Sequence, residues 1–109
     1  MAVYSLNEIA TEKVVALGDP ARNEPRDLYD IWFLTAHAGV ELQLLLPAIE
    51  EKLRFSNKEI TGLHERIVAK EARLKSLWNS RLGHQMESLP EFDETFRAVR
   101  RVLRQAEMT

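Results

Sequence analysis

The chain of 109 residues contains no cysteine. Disulfides, thiolate catalysis and cysteine-based zinc sites are therefore excluded, and the absence suits a reducing compartment. Long apolar runs are missing too. The longest near-apolar stretch, residues 40–49, holds Glu41, Gln43 and Pro47 and is far too short to span a bilayer. No basic segment followed by an apolar one opens the chain, so no signal peptide is legible and a cytoplasmic setting is expected. Phosphate loops, Gly-x-Ser-x-Gly elbows, His-Glu-x-x-His and dinucleotide fingerprints are all absent. Neither sign of charge dominates: a net charge of −2 predicts no bulk attraction to nucleic acid or to anionic membranes. Glycine and proline are scarce, four of each, and serve mostly as punctuation.

What is present reads as one helical domain over residues 1–109. Hydrophobic residues make up 45% and charged residues 29%, a balance that folds. Ser5 with Glu8 forms a capping box, followed by the stripe Leu6, Ile9, Ala10, Val14 and Leu17. Gly18 fits a left-handed stop, and Pro20 forbids continuation. Val3 and Tyr4 fit the tail of a strand or linker. A second helix starts at Pro25 and Arg26 and runs to about His37. Its apolar residues go all the way round, so it should be buried on most sides. Residues 42–55 are helical with a break or fresh start at Pro47. Ser56 with Glu59 forms another capping box, opening a long segment striped by Ile60, Leu63, Ile67, Leu74, Leu77 and Trp78 as far as Gly83. Pro90 opens the last helix, with Phe92, Phe96, Val99 and Leu103 inward. No strand alternation is legible. The expectation is an all-α, irregular bundle of about five helices.

A few charged residues stand out against this pattern. Lys13 lies between Ala10 and Leu17, on the apolar stripe, where a lysine must snorkel, pair with an acid or serve a site. Asp27 and Asp30 share one helix face near an N-terminus that favours carboxylates. They either charge a helix start, with Arg22 or Arg26 as partners, or face Lys13 across a cleft. His37 falls on the Asp27 and Asp30 side as a structural histidine, while His64 and His84 read as surface residues; none has metal spacing. Arg97, Arg100, Arg101 and Arg104 form a ridge beside the last apolar stripe. Flanked by Glu91, Asp93, Glu94 and Glu107 and lacking interleaved aromatics, it reads first as a solvated face.

Two segments carry a resemblance. Ser5, Glu8, Thr11 and Lys13 follow the pattern Thr-x-x-Glu-x-x-Ala-x-Lys, with serine for threonine and threonine for alanine, and Arg26, Asp27 and Asp30 give Arg-Asp-x-x-Asp. The pattern resembles the AbiEii/AbiGii nucleotidyltransferase toxins of type IV toxin–antitoxin systems. Trp78, Leu82, Leu89, Pro90 and Phe92 are also similar to that family's C-terminal half. The resemblance implies transfer of a nucleotide from a nucleoside triphosphate to an acceptor such as RNA. Lys13, Asp27 and Asp30 would be catalytic, and Glu8 and Arg26 would organise substrate binding. The family's Gly-Ser and paired-aspartate metal motifs do not occur in this sequence. The chain is thus expected to hold no metal or cofactor of its own and to be inactive alone. Magnesium, the triphosphate and an RNA acceptor would belong to a full-length parent. Its expected partners are the missing N-terminal core or a cognate antitoxin; a homodimer is compatible, a membrane is not. The alternative is a stand-alone helical interaction module whose acids and lysine form structural ion pairs. A nucleic-acid-binding domain using the arginine ridge ranks third because of the net acidity.

Overall fold

The structure, a computed structural model, describes residues 5–106; the stretch containing Val3 and Tyr4 lies outside them. Ser5 opens the first helix as the sequence requires: its Oγ accepts from the Glu8 N–H at 3.1 Å. The elements that follow are α1 (Leu6–Leu17), α2 (Pro25–Ala36), a 3-10 turn (Leu42–Leu45), α3 (Leu46–Phe55), α4 (Leu63–Val68), α5 (Glu71–Leu82) and α6 (Phe92–Gln105). No strand occurs among the described residues.

Helix α2 is the central strut, packed against α1, α5 and α6, while α3 closes over α1. Leu28 and Ile31 of α2 are wholly buried, with Leu17, Ile49, Leu53, Leu63, Ile67, Leu74, Phe96 and Leu103 around them. Each such side chain contributes about 1.5–3 kcal/mol over leaving it in water. Trp78 buries its ring edge-on to Phe92 and satisfies its Nε1–H on the Pro90 carbonyl at 2.9 Å. Pro47 gives the fresh start: it occupies the first turn of α3, where no N–H is needed.

Three expectations are corrected. Gly18 is right-handed at φ −78°, not left-handed; an added Cβ would run into Leu63 Cδ1, so the glycine permits close approach of α4. Ser56 does not open a helix. It ends α3, followed by Asn57 at φ 57°, and the Asn57 and Lys58 N–H groups bond back to the Arg54 and Leu53 carbonyls at 3.0 and 2.8 Å. That double bond pattern is a Schellman stop, and it satisfies α3 locally before any capping box can form. The long segment after it is divided: α4 begins after Gly62, and the chain breaks at Ala69 and Lys70 before α5. Helix α2 is buried on most sides, as expected, with Phe33 46% exposed on the remaining one.

Candidate functional site

Lys13 on α1 meets Asp27 and Asp30 on α2. Its Nζ lies 3.4 Å from Asp27 Oδ1 and 3.1 Å from Asp30 Oδ2. The spacing that placed Lys13 on the inner stripe of α1, and both acids on one face of α2, is therefore a true convergence. Asp27 is 1% exposed. Such a carboxylate is tolerable only when paired and hydrogen-bonded. Arg22 supplies the second partner as a fork, with Nε donating to Oδ2 at 2.7 Å and Nη2 to Oδ1 at 3.3 Å. That contact raises the Arg22 pKa above its ordinary value. Arg26 donates through Nε to Asp30 at 2.9 Å and through Nη1 to Gln85 at 3.2 Å, tying the cluster to the end of α5. The two readings of these acids thus coincide: they face Lys13 and they are partnered by Arg22 and Arg26. Glu8 stands apart from this group, exposed, with its N–H taken by Ser5 and its carboxylate in no described ion pair.

Arg22 is presented by a braced loop. Asp19 Oδ1 accepts from the Ala21 N–H at 3.0 Å, which is the main reason its carboxyl titrates below the usual range. Lys58 pairs with the same carboxylate at 3.4 Å. The sequence reasoning missed the deeper brace, Lys70. Only 6% exposed, it donates to the Leu17 carbonyl at 2.6 Å and the Asp19 carbonyl at 3.0 Å. It thereby closes the C-terminal end of α1, where the helix dipole favours a cation. Burial lowers its pKa, opposed by the charges of Asp27 and Asp19. A signal for it existed: Ile67, Lys70 and Leu74 repeat the spacing of Ala10, Lys13 and Leu17.

The face of α2 beside the cluster carries aromatic rings. Arg26 lies over Tyr29 at 5.9 Å, Tyr29 stacks on Phe33 at 6.3 Å, and Trp32 meets His37 edge-on at 4.9 Å. His37 ends α2 as an exposed residue against these rings. Arg22 also lines a cleft of about 500 Å³, shared with Glu12, Asp19, Lys52 and Phe55.

Chemically, two carboxylates among three cations form a donor-rich array with one positive charge in excess. Its acceptor atoms are already engaged, so it does not fit a divalent metal, and no trio of His, Asp or Glu able to hold one gathers among the described residues. The part-open Lys13 and Arg26 suit an anion instead. No described helix is long and apolar enough to cross a membrane.

No curated protein and no solved structure gives a significant match. A family model does, over residues 1–102, described as the nucleotidyl transferase AbiEii toxin of a type IV toxin–antitoxin system. That description implies an antitoxin counterpart. The match spans both motif segments and all but the end of α6, and on it the chain belongs to the AbiEii nucleotidyl transferase toxin family.

Proposed function

We propose that this helical domain contributes Lys13, Asp27 and Asp30 to a nucleotidyl-transfer site and transfers nothing by itself. The observation that carries the reading is Lys13 Nζ, held between Asp27 and Asp30 at 3.4 and 3.1 Å with its side chain 27% exposed. An ammonium fixed in that way is oriented before substrate arrives, which is what stabilising charge on a transferring phosphate demands. In the transfer, an acceptor oxygen attacks the α-phosphorus of the triphosphate and pyrophosphate leaves with the electron pair. Lys13 would offset charge on the phosphate oxygens. Asp27, locked by Arg22, would set the position of Lys13, and the part-buried Asp30 would orient the acceptor hydroxyl. Arg26 takes a place at the rim of the substrate site; Glu8 serves it through the start of α1. The partly open rings of Tyr29, Trp32 and Phe33 suit a surface against which the segment bearing the Gly-Ser and paired-aspartate motifs packs. A cytoplasmic setting and an RNA acceptor belong to the same reading.

The full pairing of the cluster also favours the plainer alternative, a helical interaction module with structural ion pairs. Transfer of α-labelled nucleotide to RNA separates the two. The chain alone should transfer no label. Joined to a segment carrying the missing motifs it should, and Lys13→Ala should then cost about a hundredfold or more. Transfer by the chain alone, or a Lys13→Ala variant as fast as the parent, would refute the proposal.

A further inference from the structure

The four arginines of α6 contrast with most of the cations elsewhere among the described residues, the exposed Arg54 and Arg73 excepted. Lys13, Arg22, Arg26, Lys52, Lys58, Lys75 and Arg81 all meet a carboxylate, and Lys70 and Arg66 meet backbone carbonyls. Arg97, Arg100, Arg101 and Arg104 have no described ion pair or side-chain hydrogen bond. At 100° per residue they fall within a sector of about 100°, beside the stripe of buried Phe92, Phe96, Val99 and Leu103. Of the acids near one end, Asp93 is held by Lys75 at 3.2 Å, Glu94 sits in the first turn, where the dipole favours it, and Glu71 shares a small cleft with Arg97 and Arg100 without a described ion pair to either. A second observation bears on the same surface. His64 of α4, 9% exposed, lies near Arg100 and Arg104, and its Nε2 is buried without a partner, as are the Nε atoms of Arg100 and of Arg66. Buried polar atoms are seldom left unmet without a reason.

We infer that Arg97, Arg100, Arg101 and Arg104 of α6, with His64 of α4 at their edge, form a binding ridge for the phosphodiester backbone of a single-stranded nucleic acid. Arginine's planar fork suits phosphate, and all four cations are arginine. From Arg97 to Arg104 the ridge spans about 10 Å of helix axis, and the long arginine side chains extend that reach to several successive phosphates. An acidic protein partner fits less well. Protein interfaces are anchored by buried apolar or aromatic side chains, and the large exposed hydrophobics of this molecule, Leu6, Phe33, Leu44 and Phe55, all lie off α6. Backbone binding needs no such anchor. The inference does not rest on the nucleotidyl-transfer reading, since it concerns another surface and needs no nucleotide.

The test is fluorescence anisotropy of a labelled, mixed-sequence single-stranded RNA titrated with the intact chain. At low salt it should bind, and the slope of log affinity against log salt should be about −2 to −3, as three or four phosphate contacts on a single strand require. The triple variant Arg97→Gln, Arg100→Gln, Arg104→Gln should keep its circular dichroism spectrum, lose about tenfold or more in affinity and flatten that slope. The pair Arg54→Gln, Arg73→Gln, which removes exposed charge from α3 and α5, should leave binding near the parent value. No binding at low salt, an equal loss in both variants, or displacement of the RNA by polyglutamate at equal charge concentration would each overturn the assignment. The last outcome would make the ridge a site for acidic protein.

Discussion

The α1–α2 cluster and the α6 ridge use similar side chains to opposite ends. In the cluster three cations converge on two carboxylates, one of them 1% exposed, and every charge is partnered at 3.4 Å or less. On the ridge four cations stand side by side with no described partner. The difference lies in burial. A carboxylate driven inside by its place on a central helix must collect cations or lose its charge. Arginines beside a buried stripe can run their stems along it with their charged ends in reach of water, and these collect no described carboxylate. Removing charge should therefore destabilise the molecule at the cluster and stabilise it, slightly, at the ridge.

The largest effect is expected for Asp27→Ala. It strips Lys13 and Arg22 of their common partner and leaves a void in the α1–α2 interface. Breaking a buried pair on one side costs about 3–5 kcal/mol, and the lower end applies because Lys13 and Arg22 can still reach water. Urea unfolding should show a lower midpoint at unchanged slope. A loss below about 1 kcal/mol, the range of exposed pairs, would mean that the cluster is solvated like the ridge. Next comes Lys70→Met. It keeps the apolar stem but abandons the Leu17 and Asp19 carbonyls, at about 1–3 kcal/mol. If instead the variant matches or exceeds the parent in stability, the cost of burying the ammonium outweighs its two bonds.

These two residues also mark how far the sequence could be read. Lys13 was legible because its partners lie 14 and 17 positions on, across one short loop between two well-capped helices. Lys70 breaks the same rule of patterning at the same spacing. Its acceptors, though, are backbone carbonyls 53 and 51 positions away, which no side-chain pattern encodes. The division of α4 from α5 was hidden for the same reason, since Lys70 itself sits at the break. The true end of α3 escaped because Ser56 and Glu59 match a helix start, while the competing Schellman stop depends on Asn57 taking a left-handed turn. His64, read as a surface residue, is buried where α4 packs against α6, near Arg100 and Arg104.

His64 gives a third, smaller prediction at the seam between ridge and core. Its pKa is lowered from 6.5, chiefly by burial and then by Arg100 and Arg104, with Glu65 opposing. The unfolded chain, with the ordinary value, therefore takes up the proton first as pH falls. The contribution of neutral His64 is complete above about pH 6.5 and is lost progressively as pH drops through 6.5 toward the lower folded value. Midpoints of urea unfolding between pH 7 and 5.5 should fall in the parent and fall less in His64→Gln. Equal slopes in the two would place the titration elsewhere.

The smallest effect has the opposite sign. Arg101 has Arg97 four residues before it and Arg104 three residues after it, so like charges adjoin it on both sides of the helix. It is exposed and lies before the last turn, where the dipole would otherwise reward a cation. Each like-charge neighbour at these spacings costs about 0.2–0.5 kcal/mol in a helix. Arg101→Gln relieves both at little loss of helix propensity and should raise stability by a few tenths of a kcal/mol, about 0.5. The gain should fade in molar salt, where screening shortens the reach of each charge to about 3 Å. A stability loss instead would show that Arg101 already has an acidic partner in the folded chain. The contrast between a satisfied cluster and an unsatisfied ridge would then be one of degree, and the ridge would have less charge to offer a phosphate.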